Sequence, residues 1–111
     1  MTYKIAWVQP NFQQGPKEFN AHYLPYSAGV IWSYAIADPW VRDNFECTDM
    51  IWRRDAVEPL AEKLAQNDCV TFSTYVWNHQ YNYTLARKVK ELNPKCLIIF
   101  GGPEPAITDK D

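Results

Sequence analysis

The chain has 111 residues, with eleven Lys and Arg against thirteen Asp and Glu, so it is one domain at most with a formal net charge of −2. Acids and bases are interspersed, leaving no basic stripe for a nucleic acid. The longest apolar runs are far too short to cross a membrane. Met1-Thr2-Tyr3 leads straight into a strand pattern, so no signal peptide is expected. Cys47, Cys69 and Cys96 are odd in number, widely spaced and without a C-x-x-C. They offer no zinc or iron–sulfur motif and read as small buried hydrophobes in a reducing cytoplasm, the expected compartment. Five Trp, seven Tyr and five Phe are many for this length. Aromatics fill cores and also line sites for large flat ligands.

In chain order, "YKIAWVQP" (Tyr3–Pro10) is a β-rich apolar run stopped by Pro10. A long polar loop follows from Asn11 to about Leu24, broken by Gly15-Pro16, and loops of that length are usually functional. From Pro25 a helix is expected, with Ala28, Ile31, Trp32, Ala35 and Ile36 in helical period until Pro39 breaks it. A second strand covers roughly Phe45–Trp52. In "DAVEPLAEKLAQN", Asp55 and Glu58 have capping-box spacing, Pro59 falls in the first turn, and Val57, Leu60, Ala61 and Leu64 form one face. The third strand is "DCVTFSTYV". Asn78 is the expected cap of a third helix, with Tyr81, Leu85, Val89 and Leu92 on one face and Asn93-Pro94 as its stop. The fourth strand, "KCLIIF", ends in Gly101-Gly102.

Strict alternation of strand and helix implies a parallel sheet with helices on both faces. The expected fold is α/β, flavodoxin-like (Rossmann-like), three layers, strand order 2-1-3-4. Ligands of such sheets bind beyond the carboxyl ends of strands one and three. Three segments meet there: the loop after Pro10, "STYVWN" after strand three and "GGPEP" after strand four. Ser73 and Thr74 bring hydroxyls, Tyr75 and Trp77 flat apolar surface, and Gly101-Gly102 bare backbone where something passes close. The plainer alternatives are a simple turn at the glycines and an ordinary strand-end hydroxyl at Ser73. There is no G-x-G-x-x-G after strand one and no Walker loop. No strand-end carboxylate suits a phospho-acceptor.

Taken together, "IAWVQP", "LPYSAGVIWSYA", "FSTYVWN" and "IIFGGPEP" resemble the cobalamin-binding domain at the N-terminus of many radical S-adenosylmethionine enzymes. That class carries a Ser-x-Leu/Thr motif followed some 25–30 residues later by Gly-Gly, and Ser73-x-Tyr75 precedes Gly101-Gly102 by a similar interval. The resemblance implies that cobalamin binds over Gln9, Pro10 and Asn11, and against Tyr26 and Ser27 at the helix start. It further implies contacts from Ser73, Thr74, Tyr75, Val76, Trp77 and Asn78, and from Gly101, Gly102, Pro103 and Glu104. Ser73 would hydrogen-bond the nucleotide tail and the glycines would let it approach backbone. Phe12, Phe19 and Tyr23, with Tyr26, Tyr75 and Trp77, would supply apolar area near the corrin.

Members of the wider class that ligate cobalt through histidine carry Asp-x-His-x-x-Gly after strand one. The string here is Asn20-x-His22-x-x-Pro25, without the Asp that orients the imidazole. His22 is therefore read as a loop residue rather than a cobalt ligand, with no metal ligand expected from this chain. His79 is read as solvent-facing or as a local hydrogen-bond partner.

The pattern stops after four strands, where the fold normally adds a fifth strand and a last helix. Residues 1–111 are accordingly expected to be an N-terminal fragment of a larger enzyme, not catalytic alone. The iron–sulfur cluster and S-adenosylmethionine would belong to a radical domain further along the same polypeptide. Strand four would be left with an exposed apolar edge, a template for self-association. Two other readings are the same fold acting as a docking domain without cobalamin, and an unrelated flavodoxin-like binder of a small flat ligand such as flavin.

Overall fold

The computed structural model describes residues 2–10, 13–14, 21–22, 26–75 and 78–102. In chain order the elements are β1 (Tyr3–Val8), β2 (Gln13–Gln14), β3 (Ala21–His22), α1 (Tyr26–Ala35), α2 (Pro39–Asn44), β4 (Phe45–Ile51), α3 (Val57–Leu64), β5 (Cys69–Ser73), α4 (His79–Leu92) and β6 (Leu97–Gly101). Four strands form one sheet in the order β4-β1-β5-β6, all parallel. Counted among themselves that order is 2-1-3-4, as the alternation of elements implied. The long loop also holds a short antiparallel ribbon, β2 with β3, which the sequence pattern did not announce.

Successive residues of a strand face opposite sides, and the sheet uses both. Ala6, Val8, Val70 and Phe72 pack with Leu60, Ala61 and Leu64 of α3 and Leu85, Ala86 and Val89 of α4. The alternate residues Ile5, Trp7 and Cys69 pack with Ala28 of α1, supported by Trp32, Cys47 and Met50. Cys47 and Met50 share that face because β4 carries a bulge. Ile5 pairs with Cys47 but Ala6 pairs with Asp49, so Thr48 is the extra residue. Simple alternation would have sent Cys47 and Met50 to opposite sides.

Four local expectations are corrected. Pro39 does end the first helical pattern, but it also starts α2. Asp38 is extended (φ −76°, ψ 124°), and its carboxylate accepts the backbone N–H of Trp40 and Val41, with Pro39 in the first turn. The residue before a proline avoids the helical region, which is the conformation an N-cap needs. At α3 the cap is Ala56, one residue past Asp55, with no side-chain cap bond, so the capping box is not formed. The Asp55 carbonyl instead accepts the Tyr81 hydroxyl at 2.6 Å. On α4, Leu92 is 45% exposed, and Asn82 and Ala86 complete the buried face in its place. On α1, Ile31 keeps the helical period yet lies exposed beside Val30 and Tyr34.

Candidate functional site

The described residues of the expected site gather at one end of the sheet. Gln9 and Pro10 follow β1, Ser73 ends β5, Thr74 and Tyr75 follow it, and Gly101 ends β6 with Gly102 just beyond. Ser27 lies in the first turn of α1, which Tyr26 opens. Asn11, Val76, Trp77, Pro103 and Glu104 lie outside the described residues, as do Phe12, Phe19 and Tyr23. His22 lies in β3 and Tyr26 in α1, and only their backbones are described.

Hydrogen bonds tie these segments together. The Gln9 side chain turns up to α1, where its Oε1 accepts the Ala28 N–H at 3.0 Å, satisfying one of the helix's first donors. The Ser27 and Tyr75 hydroxyls meet at 2.8 Å across 48 residues of sequence. Asn78 sits at the cap position of α4, as expected, but makes no side-chain cap bond. Its Oδ1 accepts the Tyr75 N–H at 2.7 Å, and its Nδ2 donates to the Pro10 carbonyl at 3.0 Å and the Ser73 carbonyl at 3.1 Å. One buried amide thus holds the ends of β1 and β5 and the turn after β5 in a single arrangement. Thr74 N–H donates to the Gly101 carbonyl at 2.8 Å and fixes β6 to the same frame.

Asn82, which the sequence reading passed over, backs this frame. Fully buried, it donates through Nδ2 to the Ser73 carbonyl at 3.2 Å and the Thr74 hydroxyl at 3.3 Å. The signal was present: Asn78 and Asn82 are a polar i, i+4 pair on the stripe that continues through Leu85, Ala86 and Val89. Asn82 Oδ1 and Trp7 Nε1 are both buried without a hydrogen-bond partner.

The two glycines do different work. Gly102 has φ +93°, and a Cβ there would lie 2.5 Å from the Thr74 carbonyl oxygen and 2.8 Å from its nitrogen. Its bare backbone is required by the fold itself. At Gly101 the nearest atom to a built Cβ among the described residues is the Phe72 carbonyl oxygen at 4.0 Å, so none of those residues needs glycine there.

Register places the face that carries Ser73 in rows. Ile5, Cys69 and Leu97 form one row and Trp7, Thr71 and Ile99 the next, with Ser73 and Gly101 paired beyond them. Helix α1 packs over the Ile5, Trp7 and Cys69 side. Leu97 and Ile99 on the β6 side remain 57% and 43% exposed, and Ser73 and Gly101 are half-buried. A lane therefore runs along β6 beside α1, floored by two aliphatic side chains and ending at a glycine. A cavity of about 560 Å³ lies on the other face, between α4 and β6. It is lined by Tyr83, Ala86, Ile98 and Phe100 with Arg87, Lys90 and Glu91 and contains none of the expected site residues.

The ionisable groups described near these elements are structural. Burial pushes all three cysteine thiols up, keeping them protonated, and Cys69 and Cys96 are buried as expected while Cys47 is half-buried. His79 is half-buried and packs edge-on against Tyr83, ring centroids 5.9 Å apart. Among the described residues no group of three or more His, Cys, Asp or Glu could hold a metal ion. No described helix is long and apolar enough to cross a membrane.

No protein-family model matches the chain. Over 81 residues, 73% of its length, it is 35% identical to 2-(S-pantetheinyl)-carbapenam-3-carboxylate methyltransferase of Streptantibioticus cattleyicolor. It is 30% identical, also over 81 residues, to the cobalamin-dependent radical SAM methyltransferase TokK of Streptomyces tokunonensis. The chain is homologous to a segment of cobalamin-dependent radical SAM methyltransferases. The resemblance carried by its residues holds. The matched stretch is 12% of the length of each of these relatives.

Proposed function

We propose that this chain is the cobalamin-binding module of a radical S-adenosylmethionine enzyme, with the iron–sulfur cluster and S-adenosylmethionine held by a further domain of the same polypeptide. The observation that carries the reading is Gly101. It ends the lane beside α1, a Cβ would fit there without touching any described residue, and the half-buried Ser73 is its partner in the sheet. A bulky tail lying along a strand end needs backbone without Cβ, and a hydroxyl beside it supplies a polar contact of the kind that orients a ligand in an apolar slot.

When bound, cobalamin supplies a cobalt centre able to carry a methyl group. The chain's own residues bind and orient. Ser73 donates or accepts at the tail, Leu97 and Ile99 shield it from water, and Gln9, Asn78 and Asn82 hold the surrounding segments in place so that little ordering is left to binding. The outer edge of β6, which pairs with no other described strand, and the exposed Leu97, Ile99 and Phe100 suit coverage by a further domain. In the isolated chain they suit a second copy.

The test is titration with hydroxocobalamin followed by visible absorption. Wild type is expected to bind. Gly101→Val adds a branched side chain to the lane where its Cβ meets no described residue, and is expected to weaken binding about tenfold or more. Unchanged affinity in a folded Gly101→Val protein would count against the tail lying there. Gly102 cannot serve in this experiment, because any side chain there disturbs Thr74 first. His22→Ala is expected to leave the spectrum of the bound protein unaltered, and a clear change would make His22 a cobalt ligand after all.

A further inference from the structure

We propose that Tyr75, tied to Ser27, is the inner wall that confines the ligand's nucleotide tail to the β6 side of the sheet. The inference rests on the cobalamin reading above and goes beyond it, by naming the pair of residues that gives the slot its selectivity for a corrinoid carrying a nucleotide.

Tyr75 lies two residues beyond Ser73, on the same face, and its hydroxyl meets Ser27 of α1 at 2.8 Å. The phenol therefore spans from the end of β5 to the helix and closes the β1–β5 half of that face at its carboxyl end. On the β6 half the floor is Gly101, with Ile99 and Leu97 exposed below it. A group entering from the carboxyl edge meets a ring on one side and bare backbone on the other.

Both ends of the bridge are held. Asn78 grips the Tyr75 N–H at 2.7 Å and is itself fixed to the Pro10 and Ser73 carbonyls. Ser27 is followed by Ala28, whose N–H is held by Gln9 at 3.0 Å. A wall anchored before the ligand arrives loses little freedom on binding, and that is what makes it selective. Tyr75 and Ser27 act here as positioning residues: the hydroxyl pair sets where the ring stands, and the ring sets the lane.

The experiment compares hydroxocobalamin with cobinamide, which has the corrin but lacks the nucleotide, on wild type, Tyr75→Phe, Ser27→Ala and the double variant. Each single change removes the hydroxyl pair and keeps the ring. The expected result is a preference for cobalamin over cobinamide in wild type that falls about fivefold in each single variant. Affinity for cobinamide should be unchanged, and the double variant should be no worse than either single. A loss confined to the nucleotide-bearing ligand is something a general loosening of the fold would not produce. A wild-type preference that both variants retain, or losses that simply add in the double variant, would overturn the wall and leave the cobalamin reading standing. Wild type binding both corrinoids equally would overturn the wall, since no tail would then occupy the lane, and wild type binding neither would overturn the cobalamin reading itself.

Discussion

The two faces of the sheet draw alternate residues from the same strands and are finished differently. On the α3–α4 face, Val8, Val70, Phe72, Leu64, Leu85 and Val89 are all fully buried. Phe72 is stacked on Phe100 at 5.2 Å. On the other face α1 is the described helix that covers Ile5, Trp7 and Cys69, and Leu97 and Ile99 of β6 stay exposed. The helices explain the contrast. α3 and α4 are polar on one side and apolar on the other, whereas α1 is apolar nearly all round and leaves Val30, Ile31 and Tyr34 exposed. The α3–α4 face holds the larger closed core, with the cavity beside Phe100 only at its β6 margin; the other face is tied to α1 at its carboxyl end by hydrogen bonds and leaves Leu97 and Ile99 exposed along β6.

If that division is correct, equivalent truncations should cost different amounts. Phe72→Ala on the closed face is expected to lose about 3–5 kcal/mol, the usual cost of emptying a packed aromatic site. Ile99→Ala on the lane is expected to lose at most about 1 kcal/mol, because much of its side chain is already in water. Urea midpoints at constant slope measure both. Similar losses at the two positions would mean that Ile99 is packed as Phe72 is, and the contrast between the faces would collapse.

The adjacent glycines make the same comparison at single-residue scale. Gly102→Ala puts a side chain at φ +93° and against the Thr74 backbone. An expected loss of about 2 kcal/mol follows. Gly101→Ala comes no nearer than 4.0 Å to any described residue and restricts the unfolded chain, so it should be neutral or stabilise by up to about 1 kcal/mol. Thermal unfolding of the two variants beside wild type is sufficient. A destabilised Gly101→Ala would show that this glycine, too, answers a need of the fold.

The sheet order and the positions of the main helices were legible because apolar runs and helical periods are local properties of sequence. That the expected site residues would gather at the carboxyl edge of the sheet also follows from alternation alone, and the described ones do lie there. The bulge at Thr48 was not legible, because it is a property of pairing between β1 and β4. Nor was the role of Asn78. Its place before α4 marked it as a cap, yet its amide turns toward Pro10, Ser73 and Tyr75, partners that only the fold brings near. The Gly101-Gly102 pair read as one feature in sequence and divides in space, since only the approach of Thr74 distinguishes the two. α2 was missed because Pro39 signals both the end of one helix and the start of another.

The last expected effect belongs to the α3–α4 face and is read with pH. Tyr81, on α4, donates its hydroxyl to the Asp55 carbonyl just ahead of α3. Burial, and then the nearby Asp55 charge, push its pKa up to about 12. An unfolded tyrosine titrates near 10, so the folded chain holds this proton more tightly than the unfolded one. The stabilisation is complete below about pH 10 and is lost as pH rises through about 12. Wild type should therefore lose stability across that window more steeply than Tyr81→Phe, which has no proton to release there. At neutral pH the same variant should cost about 1 kcal/mol for the missing hydrogen bond. Because Tyr81 packs on the α3–α4 side, its replacement should leave cobalamin titrations unchanged. Parallel alkaline profiles for the two proteins would remove the tie between α4 and the turn before α3. A shift in cobalamin affinity would show that the two faces are coupled rather than separately built.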